Sequence, residues 1–142
     1  NNTIYNAFGG DGVGIGHANS TVTARNNASF GNSGDDYSAS IDTVQTNASE
    51  DLTGTTGLTS FVTADQFVST TADSENLHLI TGADLIDVGT DLTTTGNIDI
   101  DGRDRDAQGD VWDCGADEFV ASAQASPITT INSLIINSAT IN

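Results

Sequence analysis

The sequence predicts an all-β chain made of the terminal coils of a parallel β-solenoid, a C-terminal cap and an Ile-rich β tail. Three observations predict it. Short β-branched or aromatic runs recur between clusters of Gly, Asn, Ser, Thr and Asp, and an Asn-led segment returns at offsets of about 25 and 20 residues. Apolar residues never hold the i, i+3, i+4, i+7 spacing of an amphipathic helix over several turns. At 142 residues the chain has the length of one ordinary domain and needs only one core.

The runs have strand length: STVTA at 20–24, DTVQT at 42–46, SFVTA at 60–64, QFVST at 66–70, LHLI at 77–80 and DLIDV at 84–88. NNTIY at 1–5 aligns with NNASF at 26–30, placing Asn2 over Asn27 and Tyr5 over Phe30, and NAS returns at 47–49. Such a period is about one solenoid coil, in which a strand, a turn and another strand bring the chain back above itself. An Asn at one corner of successive coils forms a side-chain hydrogen-bond ladder and tolerates the left-handed backbone of a tight turn. Between about 50 and 75 the Thr- and Gly-rich chain loses the repeat, and Phe61, Val62, Phe67 and Val68 are expected to turn inward. Residues 1–75 are therefore assigned to the coils and 76–119 to the cap.

Beyond Phe119, VASAQASP reads as a small-residue linker ending at the sole Pro, and Ile131, Ile136 and Ile141, each followed by Asn, recur every five residues. This period suits a tightly wound β-solenoid, and an apolar strand added to a neighbouring subunit's edge is the competing reading. Either way, residues 120–142 are read as a linker and self-association tail. Ile128, Ile131, Leu134, Ile136 and Ile141 would make its contacts, in a homo-oligomer or with other subunits of a larger assembly.

Three Arg (Arg25, Arg103, Arg105) and no Lys face 20 acidic residues, for a formal charge of −17. Such a chain repels phosphate backbones and anionic lipid, which argues against nucleic acid as a partner. No apolar run approaches the roughly 20 residues that cross a bilayer, so no membrane insertion is expected. The lone Cys114 has no internal disulfide partner and reads as a buried thiol beside Trp112. The chain has no Met and begins NNTIYNAF, so it reads as part of a longer or processed product.

The densest chemistry lies in DIDGRDRDAQGDVWDCGADE at 99–118, which holds eight acidic residues, two Arg, the only Trp and the only Cys. Three readings apply. As a structural cap, its Asp residues accept turn N–H groups, Arg103 and Arg105 bind carboxylates bidentately, and Leu85, Ile86, Val88, Ile98, Ile100, Val111, Trp112 and Phe119 plug an open coil end. As a calcium loop, Asp99, Asp101, Asp104 and Asp106 alternate as oxygen donors around Gly102, although the closing bidentate Glu is missing and two Arg intervene. As a catalytic site, paired carboxylates would hydrolyse a glycoside. Neither His17 nor His78 suits a general base better than a surface or satisfied position, and GGDGVGIG at 9–16 opens no helix that would make it a phosphate cradle.

Three ordered pieces, TGADLIDVGT (81–90), DIDGRDR (99–105) and DCGADEF (113–119), resemble the C-terminal signature of choice-of-anchor-type right-handed parallel β-helix proteins. The resemblance covers residues 77–119 and extends to residues 1–50 only in style. Three positions depart from the signature: Ala83-Asp84 stands for its Ser-Pro, Arg105-Asp106 for its Arg-Pro, and Cys114 for its Ile. The resemblance implies right-handed parallel β-helix coils with a cap. It leaves function open, because the signature occurs on enzymes, adhesins and virion proteins.

The expectation from the whole sequence is a non-catalytic structural or adhesive component, such as a fibre, spike, decoration or filament protein. It would sit outside a cell, on a cell surface, or on a virion such as a bacteriophage. The alternative is a polysaccharide-binding or polysaccharide-degrading protein whose active face lies mostly in coils upstream of Asn1, with the few aromatics Tyr5, Phe8, Phe30 and Tyr37 as sugar platforms or core.

Overall fold

The computed structural model describes residues 1–8, 14, 22–38, 43–51, 53, 58–93, 96–108 and 111–121. The tail residues Ile128, Ile131, Leu134, Ile136 and Ile141, and His17, lie outside the described residues. The strands are β1 (Thr3–Tyr5), β2 (Thr23–Arg25), β3 (Ala28–Phe30), β4 (Thr43–Gln45), β5 (Ala48–Ser49), β6 (Phe67–Ser69) and β7 (Asn76–Leu79). Short 3-10 turns occupy Thr63–Asp65 and Arg105–Ala107. Among the described residues no helix is long and apolar enough to cross a membrane.

The strands are short because a left-handed residue follows so many of them. Asn6 (φ 57°) ends β1, Asn26 (φ 52°) ends β2, Gly31 (φ 64°) ends β3 and Thr46 (φ 50°) ends β4. Asn and Gly adopt this conformation cheaply, whereas a β-branched residue does not. Thr46 is held there by its hydroxyl, which donates to Asn26 Oδ1 at 2.6 Å.

β1, β3 and β5 form a parallel sheet in that order, with Tyr5 opposite Phe30 and Ala28 opposite Ala48. β2 and β4 form a second parallel pair, Arg25 opposite Gln45. Between the two sheets the side chains of Asn2, Asn27 and Asn47 run as a ladder. Asn2 Nδ2 donates to Asn27 Oδ1 and Asn27 Nδ2 to Asn47 Oδ1, each at 2.9 Å, and Asn47 Nδ2 closes on Ala24 O at 2.8 Å.

The expected right-handed parallel β-helix, with residues 1–75 as its terminal coils, is corrected by the strands beyond β5. β6 and β7 pair antiparallel, and among the described residues the short strands make three small sheets and no solenoid. The physical reason lies in the connections. Residues 70–75 between β6 and β7 are far short of the dozen or so that a parallel crossover needs, so the chain folds back on itself. With the repeat lost after β5, no further strand among the described residues arrives in parallel register, and so few repeats do not sustain a solenoid.

The main core joins the parallel sheet to this hairpin: Phe30 meets Phe67 edge to face at 5.6 Å, with Ala28, Ala48, Leu79, Leu85 and Cys114 around them. Alternation along the hairpin buries Phe67 and leaves Val68 exposed, and Val62 is exposed as well. Of the expected plug, Leu85 and Trp112 are buried, Ile86, Val88 and Phe119 pack at the core's margin, and Ile98, Ile100 and Val111 face solvent.

Two later segments dock on the stacked strands. Asn26 exchanges hydrogen bonds with Thr90, Cys114 N donates to Leu85 O at 2.9 Å, and Gly115 N donates to Asn26 O at 2.9 Å. Gly89 must be glycine, since its N–H reaches Trp112 O at 2.6 Å and a Cβ would stand 2.6 Å from the same oxygen. These contacts bring the acidic segment against the N-terminal strands.

Candidate cation site, buried clamp and polar groove

The four sequence-predicted calcium donors go to different partners. Asp99 Oδ1 accepts from Asp101 N at 2.9 Å and Arg103 N at 2.7 Å, shaping the turn through Gly102. Arg103 pairs with Asp101 Oδ2 at 2.6 Å and with Asp99 Oδ2 at 3.5 Å. Asp104 caps the Arg105–Ala107 turn by accepting from Asp106 N at 3.1 Å, and Asp106 Oδ1 accepts from Trp112 Nε1 at 2.9 Å. Among the described residues only Asp101 of the four joins a cluster of His, Cys or acidic side chains with converging donor atoms, and its companions are His78 and Asp117.

In that cluster one donor atom from each residue lies within 4.8 Å of the others. His78 Nε2 stands 3.1 Å from Asp101 Oδ1. When its Nε2 carries a proton, His78 donates to this oxygen and, with Arg103 nearby, holds the Asp101 carboxyl below its ordinary range. Asp117 is 4% exposed; its Oδ2 accepts from Leu79 N at 2.7 Å, and its Oδ1 is buried without a hydrogen-bond partner. The sequence reads His78 as a surface or satisfied residue and gives Asp117 no role of its own. The signal that could have joined them is weak, since the three residues lie in separate segments.

Behind the cluster is a fully buried guanidinium. Arg105 Nη1 donates to Glu118 Oε2 at 2.7 Å, Nη2 donates to Gly115 O at 3.0 Å and Ala116 O at 2.7 Å, and the group lies 5.8 Å from the Trp112 ring centre. Only an Arg fork satisfies so many oxygens at once. Burial pushes Glu118 up to about 7, with Arg105 pulling the other way, and burial also raises Asp113. Cys114 is buried beside them, its thiol pushed up to about 12 by burial. So high a value makes it a packed thiol and a poor nucleophile at neutral pH.

A polar groove of about 700 Å³ opens over β2 and β4. Alternation in β2 buries Ala24 and turns Thr23 and Arg25 outward, where they line the groove with Gln45, Thr90, Asp91 and Thr93. Tyr37, by contrast, is fully buried and donates to Asn27 O at 2.7 Å, so it is core and no sugar platform. Tyr5 is half-buried, with its hydroxyl on Thr70 O at 3.1 Å, and Phe8 is 80% exposed.

No protein-family model, curated protein or solved structure matches the chain. The likeness of residues 77–119 to the choice-of-anchor signature rests on its three motifs alone.

Proposed function

We propose that the chain is a non-catalytic structural or adhesive component of an extracellular, cell-surface or virion-surface assembly. One observation carries this reading: every buried carboxylate among the described residues is engaged in holding backbone. Asp36 accepts from Glu50 N, Asp99 from Arg103 N, Asp113 from Asp87 N and Phe119 N, Asp117 from Leu79 N, and Glu118 from Asp113 N. Asp36, Asp113 and Asp117 pin distant segments this way, Asp99 and Glu118 shape their own turns, and carboxylates so engaged are less available to a substrate. That is a scaffold's use of charge. The Ile-rich tail, residues 127–142, supplies the self-association. Light scattering tests it: the full chain should run as a defined oligomer or polymer, and deletion of 127–142 should lower its mass while the rest stays folded. An unchanged mass after deletion would remove the tail from the proposal.

The polar groove favours a second reading, adhesion through surface polysaccharide. Amide, hydroxyl and guanidinium side chains around a cavity of this size suit the hydroxyl arrays of sugars. Glycan binding that weakens on Arg25→Ala and Gln45→Ala would support it, and binding indifferent to both would end it.

A further inference from the structure

Asn76 and His78 lie two apart on β7 and so share a face of the strand. Asn76 Oδ1 accepts from His78 N at 3.2 Å, and because a backbone N–H only donates, that atom is the amide oxygen. The same oxygen is 2.6 Å from His78 Nδ1, so Nδ1 carries the hydrogen. In a neutral imidazole Nε2 is then a bare lone pair, and 3.1 Å from it lies Asp101 Oδ1, another acceptor. With the imidazole neutral, two acceptors this close need a proton or a metal ion between them.

Asp117 says which cation. Its buried, unpartnered Oδ1 would remain unsatisfied if a single proton bridged His78 and Asp101. A tetrahedral zinc ion with bonds of about 2.0–2.2 Å spaces its ligands roughly 3.3–3.6 Å apart. The 3.1 Å pair already lies close to that spacing, and the remaining donor atoms, all within 4.8 Å, need small side-chain rotations. Arg103 faces Asp99 and Asp101, and Arg105 behind the cluster is already paired with Glu118, so the carboxylates, Asp117 included, outnumber the guanidinium groups and the local charge favours a dication. Arg103 on Asp101 Oδ2 and Asn76 on His78 Nδ1 act as the outer hydrogen bonds that orient metal ligands.

We propose that His78 Nε2 and the carboxylates of Asp101 and Asp117 bind a divalent transition-metal ion of the zinc class, with solvent completing its coordination. The imidazole nitrogen selects zinc over calcium or magnesium, which take oxygen sets. The ion would tie β7, the Asp99–Arg103 turn and the Asp113–Phe119 segment together.

The test is calorimetry on the tag-free full chain with zinc chloride and, separately, calcium chloride. One zinc per chain is expected, with at least tenfold weaker binding in His78→Ala and Asp101→Asn, unchanged binding in His17→Ala, and a melting temperature that rises with zinc only where the site is intact. His78 and Asp101 side chains are 40% and 31% exposed, so these variants should fold even if Asp117→Asn does not. No zinc heat, zinc binding indifferent to both variants, or calcium binding as tight as zinc would each overturn the proposal.

Discussion

The stacked strands and the segments that close over them satisfy buried polar groups in opposite ways. Along Asn2, Asn27 and Asn47 the work is done by neutral amides, each donating to the next and Asn27 and Asn47 accepting as well. In the closing segments it is done by charge: Arg105 against Glu118, with Asp99, Asp113 and Asp117 on backbone N–H groups. The difference arises from geometry. Neighbouring strands lie about 4.8 Å apart, and carboxylates stacked at that spacing would repel, whereas amides attract. In an irregular turn several N–H groups converge on one point, and there a carboxylate accepts them better than an amide does.

The sharpest way to break this contrast is at Arg105. Arg105→Ala leaves Glu118 buried with only Asp113 N and no cation beside it, and strips the backbone oxygens of Gly115 and Ala116 of their donor. Breaking a buried pair from one side costs ~3–5 kcal/mol. Urea denaturation should show that loss, and Arg105→Lys should recover little of it, because an ammonium lacks the fork. A loss under ~1 kcal/mol would place the clamp among exposed ion pairs. The amide ladder should respond less. Asn27→Ala removes the acceptor for Asn2 N and the donor to Asn47 Oδ1, and should cost ~1–3 kcal/mol. Asn27→Asp keeps the acceptor but sets a carboxylate against Asn47 Oδ1, so its stability should improve on acidification, where Asn27→Ala should not.

The ladder was legible in the sequence because the same residue recurs at the same corner, and identity at fixed spacing is what a single chain displays. Tyr5 opposite Phe30 comes from the same alignment. The antiparallel turn of β6 and β7 was not: QFVST and LHLI read as strands, but their direction is set by a connection too short for a crossover, and strand propensity carries no direction. Nor did sequence separate Arg103 from Arg105. Both sit among Asp residues, yet Arg103 has 43% of its side chain exposed and Arg105 none, a division made by which segments pack over each. The meeting of His78, Asp101 and Asp117 was illegible for the same reason, since it exists only after three segments close.

The smallest effect sharpens the comparison most, because pH acts on only one of the two strategies. Amides do not titrate, so the pH dependence comes from the carboxylates and from the Asn1 ammonium, whose pKa burial lowers and which therefore opposes the carboxylate trend at the upper end of the range. Burial raises Glu118 to about 7, Asp36 to about 6, and Asp113 in the same direction. The folded chain thus holds protons that the unfolded chain has released, and stability falls as pH rises from the ordinary carboxylate range through these values. Against the pull of burial, hydrogen bonds from Thr53 and Asp36 N hold Asp51 low, and His78 and Arg103 hold Asp101 low. Those two contribute stability that is present above their unfolded values and lost as pH falls further. The melting temperature should therefore peak at about pH 5 and decline toward pH 8. General repulsion among 20 acidic residues would give a decline of the same sign, so the slope alone does not decide. Glu118→Gln separates the two: it should flatten the decline between pH 5 and 8, while Glu75→Gln, at an exposed position, removes the same formal charge and should leave the slope nearly intact. If both variants flatten it equally, the decline belongs to the net charge and the buried carboxylate beside Arg105 is ionised throughout.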